Sequence, residues 1–228
     1  MRSVFMKGDS KKRTKKPWPT KAAMEQIYEA KLWGDNGSRF YSGHGSHHPR
    51  MVDPYVGILT EFLKSFEEPI TVCDLGCGDF NVGKELVPYV RKYIAVDIVP
   101  ELIDFNTKTF QHPNLKFQCL DMAKDNLPDG DCAILRHVLQ HLSNAEVENV
   151  VNKLYGFDYV VLTEHVPKGH FIPNKDIVSG QGIRLKKQSG LDLLKAPFRL
   201  KVKEGKPLLS VCPTNQKGVI ITTLYRLS

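Results

Sequence analysis

The chain has 228 residues, with 32 Lys and Arg against 25 Asp and Glu and 41% hydrophobic residues, which suits one domain with a sizeable core and an added segment. No run approaches the ~18 uninterrupted apolar residues of a membrane span, and the basic N-terminus lacks the apolar stretch that a secretory signal needs. The net charge of +7 is concentrated in residues 1–21, which hold eight basic residues and one acid, so the rest of the chain is balanced and argues against a folded face built to track a phosphate backbone.

In chain order, residues 1–19 read as a basic flexible arm centred on Lys11-Lys12-Arg13-Thr14-Lys15-Lys16, with contact to RNA or a membrane as its secondary reading. Thr20 is expected to N-cap a helix whose apolar positions Met24, Ile27, Tyr28 and Leu32 follow a 3.6-residue period, with Gly34 as its stop. A polar, glycine-dotted loop follows to Pro49. Asp53-Pro54 then reads as N-cap plus first helical residue of a second helix carrying Tyr55, Ile58, Leu59, Phe62, Leu63 and Phe66 on one face. Residues 20–67 are therefore expected to form a helical lid ahead of the main domain, 68–228.

From Pro69 the pattern alternates short apolar runs with helical stretches. Strands are expected at Thr71–Leu75, Tyr93–Asp97, Leu115–Leu120, Cys132–Arg136 and Tyr159–Thr163, with helices around Val82–Val90, from Pro100, and over Asn144–Leu154. This alternation predicts a doubly wound α/β sheet, mostly parallel, and Phe198–Val202 with Gly218–Leu227 predict a closing antiparallel hairpin. Cys73, Cys77, Cys119, Cys132 and Cys212 show no CxxC spacing and read as reduced core thiols of a cytoplasmic protein.

Ligands of such sheets sit beyond the carboxyl ends of the strands. The first strand ends in Asp74-Leu75-Gly76-Cys77-Gly78-Asp79, where glycines at 76 and 78 let a ligand approach the backbone. A dinucleotide fingerprint would place a third glycine at position 81, but Asn81 stands there. Asp74 and Asp79 would repel a pyrophosphate, whereas S-adenosylmethionine offers a sulfonium and an ammonium to acidic side chains. Asp97 closes the second strand, where a carboxylate can take both ribose hydroxyls. Asp121 closes the third and is placed to accept from an adenine amino group, with Met122 beside it as an apolar wall.

These residues, with Arg136-His137-Val138-Leu139-Gln140-His141-Leu142, resemble the class I S-adenosylmethionine-dependent methyltransferases from about Pro69 to Val166. The resemblance implies a Rossmann-like, seven-stranded sheet with a C-terminal hairpin, S-adenosylmethionine as cofactor, and a cofactor-binding set of Asp74, Gly76, Gly78, Asp97, Ile98, Asp121, Met122 and Arg136. Val138–Leu142 is similar to a turn common in small-molecule methyltransferases. The Asn/Asp-Pro-Pro-aromatic motif usual in base- and amide-N-methylating enzymes is absent.

Methyl transfer to a hydroxyl needs a collinear donor and nucleophile and a proton acceptor. His137 and His141 are the first candidates for that base, followed by Glu164 and His165, with His47 also near the mouth. The histidine-rich loop Gly43–His48 reads as an exposed polar loop, and no metal is expected. Arg184, in the polar segment 166–187, is a candidate for an acceptor carboxylate or phosphate, with a surface ion pair as the plainer reading. The expected function is methylation of a small molecule, at oxygen. The alternatives are an RNA methyltransferase using the basic arm and a non-catalytic S-adenosylmethionine-binding module.

Overall fold

The computed structural model describes residues 18–213 and 217–227. Apart from Trp18 and Pro19, the expected basic arm lies outside the described residues. A single sheet runs in the order β3-β2-β1-β4-β5-β7-β6. Its strands are β1 (Thr71–Leu75), β2 (Lys92–Asp97), β3 (Leu115–Cys119), β4 (Cys132–Arg136), β5 (Tyr159–Val166), β6 (Glu204–Val211) and β7 (Val219–Arg226). The first five are parallel, and β7 enters antiparallel between β5 and β6. The helices are α1 (Thr20–Glu29), α2 (Pro49–Lys64), α3 (Pro100–Thr109) and α4 (Asn144–Leu154). Among the described residues no helix is long and apolar enough to cross a membrane.

Side chains alternate across the pleat and so divide the core in two. Cys73 and Leu75 of β1, Ile94 and Val96 of β2, and Ala133 and Leu135 of β4 pack with Met24 and Ile27 of α1, Leu102 of α3, and Val147, Val150 and Leu154 of α4. Val72, Tyr93, Ala95 and Ile134 pack with Tyr55, Leu59 and Leu63 of α2. Each Leu at these positions contributes roughly 1.5–3 kcal/mol through burial. Thus α2 covers the sheet as an integral layer, and the part of the N-terminal segment that lies across the strand ends stops near His48.

Several local expectations are corrected. Thr20 is the first residue of α1 and Pro19 its cap; the Thr20 hydroxyl instead donates to Glu146 at the start of α4. The second helix begins at Pro49, not at Pro54, because His48 caps it by accepting the Arg50 N–H on Nδ1 at 3.2 Å. Pro54 then falls in the second turn, where its missing N–H removes one early helix bond. The helix expected over 82–90 is a pair of 3₁₀ turns, Gly83–Glu85 and Val87–Tyr89, since Pro88 supplies no N–H to continue a ladder. Phe198 and Leu200 are buried but lie in a loop. The partner of β7 is instead β6, an edge strand of mostly exposed residues with a register shift between Pro207 and Leu209. Of the five free cysteines only Cys73 and Cys132 are fully buried, whereas Cys119 and Cys212 are exposed and not core thiols.

Candidate active site

A cavity of about 460 Å³ lies beyond the carboxyl ends of the parallel strands, and Asp74, Gly76, Gly78, Asp97, Ile98, Asp121, Met122, Arg136, His137, His141 and His165 all line it. The glycine turn owes its residues to protein packing. Gly76 has φ +86°, and a Cβ there would stand 2.5 Å from Val138 Cγ2; at Gly78, with φ +56°, it would stand 2.4 Å from Ser42 Oγ. The absent side chains let the β1 turn sit against the β4 turn on one side and the N-terminal loop on the other. The space expected for a ligand at those two Cβ positions is filled by Val138 and Ser42.

The carboxylates around the turn, buried at Asp74 and Asp97 and half-buried at Asp121, are differently employed. Asp97 accepts the Gly78 N–H on Oδ2 and the Val99 N–H on Oδ1, both at 3.1 Å, leaving further lone pairs on each oxygen. Burial raises its pKa, opposed by those backbone donors. Asp74 accepts from the Tyr93 hydroxyl at 2.9 Å, and burial pushes its pKa up to about 7, with the Asp97 charge adding to the rise. Asp121 accepts from the Ala123 N–H and the Lys124 ammonium. A cation brought between Asp74 and Asp97 would relieve the cost of their burial and mutual repulsion.

The loop after α1 is bolted across this site. Asp79 Oδ2 accepts the Ser42 N–H at 2.7 Å and meets His47 Nε2 at 2.6 Å, while Ser42 Oγ accepts the Asp79 N–H at 2.8 Å. Arg136 donates to the Gly45 carbonyl at 2.6 Å and to Ser46 Oγ at 3.1 Å, and its guanidinium lies 4.9 Å from the Tyr55 ring centroid. The guanidinium therefore grips the loop while lining the cavity. Trp33 packs on His141 with ring centroids 5.2 Å apart. His44 and His48 pack on each other while His47 turns to Asp79, so the three loop histidines diverge.

The histidines expected as bases separate cleanly. His141 has both ring nitrogens engaged: Nδ1 donates to the Gly180 carbonyl at 3.1 Å, and Nε2 accepts from Gln140 Nε2 at 3.3 Å. Gln140 is fixed in that orientation because its Oε1 accepts the His165 N–H at 3.1 Å. Burial lowers the His141 pKa to about 4. His137, at φ +57° and tied to Thr163 through its N–H, and His165 each bury an Nε2 that has no hydrogen-bond partner among the described residues. Burial holds His137 well below the usual imidazole range and lowers His165. Glu164 is not among the cavity-lining residues; it alternates to the other side of β5, is buried, and is pushed up to about 8 by desolvation. Arg184 is neither a surface residue nor free for an acceptor, since it is buried and donates to the Leu139 and Leu142 carbonyls and to Asn144 Oδ1. The structural roles of Ser42 and Gln140 carried no signal in the sequence, because the loop–turn latch and the Gly180 contact join distant segments.

Residues 72–157 match the family model described as a methyltransferase domain. Over those residues the chain is similar to that family. No curated protein matches it by sequence. Its fold is that of class I S-adenosylmethionine-dependent methyltransferases. The N-methyltransferase NodS from Bradyrhizobium japonicum WM9, solved with S-adenosyl-L-homocysteine, is 12% identical with a TM-score of 0.64, covering 90% of this chain and 98% of that one. Magnesium protoporphyrin IX methyltransferase from Synechocystis PCC 6803, solved with S-adenosylmethionine, is 15% identical with a TM-score of 0.56, covering 93% and 100%. Human N-acetylserotonin methyltransferase, also with S-adenosylmethionine, is 16% identical with a TM-score of 0.56, covering 92% of this chain and 60% of that one. The strand-end cavity lies at the carboxyl edge of that fold's sheet.

Proposed function

We propose that the chain binds S-adenosylmethionine in this cavity and methylates a hydroxyl group of a small molecule, with His137 as general base. The observation that carries the reading is the buried carboxylate of Asp97 at the end of β2, which keeps lone pairs for a ribose diol while Gly78 and Val99 hold it in place. Asp74 suits a cationic methionine end, and Ile98, Asp121 and Met122 suit an adenine; solved relatives of the same fold contain S-adenosylmethionine or its product. A cavity of about 460 Å³ is in the range of small-molecule sites. The free thiols fit a reducing cytoplasm.

When bound, S-adenosylmethionine supplies an electrophilic methyl carbon on a sulfonium. The residues do the rest. The latched loop of Ser42 to His47 covers the site and excludes water. His137 Nε2, with its depressed pKa, is neutral at neutral pH and free to accept a proton. A weak base suffices, because a hydroxyl oxygen becomes strongly acidic as it acquires the methyl group. His165 offers a second free nitrogen, whereas His141, engaged at both, positions the turn.

The test is transfer of labelled methyl groups from S-adenosylmethionine to a small-molecule extract. Replacement His137→Ala should lower kcat by about a hundredfold or more while leaving S-adenosylhomocysteine affinity unchanged. Equal turnover in the variant sinks the base assignment, and no transfer by the native chain, with cofactor bound, favours a non-catalytic binding module.

A further inference from the structure

The balanced charge of the folded part conceals a division. Residues 22–166 hold 12 basic and 21 acidic residues, whereas residues 167–228 hold 12 basic and 3 acidic ones. The cavity lies at the boundary. Asp74, Asp79 and Asp97 line it around the glycine turn, and Gln181, Ile183 and Lys186 line it from the side of the segment that follows β5. There Lys186 lines the cavity from the short turn Arg184–Lys187, and its ammonium makes no hydrogen bond or ion pair among the described residues.

The other charged groups on that side are already engaged. Arg184 is tied to the carbonyls of the His141 turn. Glu146 accepts from Thr20, Ser143 and Ser179, and Asp176 Oδ1 accepts the Asn144 and Ile177 N–H groups. Arg136, the other cavity-lining guanidinium or ammonium group, grips Gly45 and Ser46. Lys186 is thus the cavity's uncommitted cation. Facing the same cavity is His165, only 7% exposed, whose Nε2 has no partner among the described residues.

We infer that the methyl acceptor is an anionic small molecule, bearing a carboxylate or phosphate that Lys186 binds while its hydroxyl reaches the imidazoles of His137 and His165. This rests on the proposed methyl transfer for the identity of the site. The acid-lined side takes the cationic cofactor, and the basic C-terminal part draws the acceptor to the other side by its field. An anion without Lys186 would meet the carboxylates of the same cavity with only Arg136, already held by Gly45 and Ser46, as a further guanidinium or ammonium group to offset them.

The test loads the full chain with S-adenosylhomocysteine and titrates it with benzoate, inorganic phosphate and neutral benzamide. Saturable binding of benzoate or phosphate, weaker by about tenfold or more in Lys186→Gln and restored in Lys186→Arg, is expected; which of the two binds more tightly identifies the anion class. The exposed Lys203→Gln, at the start of the β6 hairpin, should bind as the native chain does. Benzamide binding as well as benzoate, an anion affinity unchanged in Lys186→Gln, or no anion binding at all overturns the inference. Uptake of S-adenosylhomocysteine is read first in the same experiment. Its failure contradicts the cofactor assignment, and the anion titration of the unloaded protein still decides the role of Lys186.

Discussion

Replacing Asp97 by Ala removes the side chain proposed to hold a ribose at the end of β2. Each of its carboxylate oxygens already accepts one backbone N–H, from Gly78 and from Val99, at 3.1 Å. A carboxylate has about four lone-pair positions, so each oxygen can accept one hydroxyl of a vicinal diol without giving up its backbone partner. Two such bonds at about 1–1.5 kcal/mol net each amount to about 2–3 kcal/mol, or roughly 30- to 150-fold in affinity. Calorimetric titration with S-adenosylhomocysteine reads this directly, with Asp104→Ala, an exposed acid on α3, as the control. The variant also leaves the Gly78 and Val99 N–H groups without their acceptor, so its melting temperature should fall as well, and the titration belongs well below that temperature. A folded Asp97→Ala protein that binds within about threefold of the native chain refutes the ribose assignment.

Three further outcomes follow from the same geometry. Because the Asp74 pKa is raised to about 7, its carboxyl is charged above that pH and neutral below it; S-adenosylmethionine affinity should be level above pH 7 and fall by up to about tenfold per unit below it, and a flat calorimetric profile through that range contradicts the contact. Gly76→Ala places a Cβ 2.5 Å from Val138 Cγ2 at a φ of +86°, so it should cost at least about 1–2 kcal/mol in a denaturant melt; an unchanged midpoint would mean that the two turns are not packed as described. Glu164 is raised to about 8 from 4.5, so the folded chain holds a proton that the unfolded chain releases, and this contribution to stability is lost as pH rises from about 4.5 to about 8. Glu164→Gln should then be more thermostable relative to the native chain at pH 8 than at pH 5, and a difference of the opposite sign would contradict the burial of that carboxyl.

Much of the sheet was legible because its central strands are continuous apolar runs bounded by turn residues. Thr71–Leu75 and Cys132–Arg136 were read to the residue, as was α4, whose Ser143 and Glu146 form a capping box. The edge strand β6 was misplaced because an edge buried on few positions leaves no apolar signal, while the nearby Phe198 and Leu200 are buried from a loop. Asp97 was legible as a strand-closing acid because it ends the apolar run Tyr93–Val96, and it stands at the end of β2 and lines the cavity. Which histidine is free was not. His141 is satisfied by Gly180, 39 residues away, through a side chain whose partner amide belongs to Gln140. No local pattern encodes that contact, nor the latch between Ser42 and Asp79, since both arise only when distant segments pack.

The central claim is tested most directly by a crystal structure of the chain with S-adenosylhomocysteine. The expected result is a ribose diol on the Asp97 carboxylate, the adenine against Ile98 and Met122, and the sulfur toward the side of the cavity lined by His137 and His165. A ligand whose ribose lies away from Asp97, or a cavity left empty at saturating ligand, would contradict it.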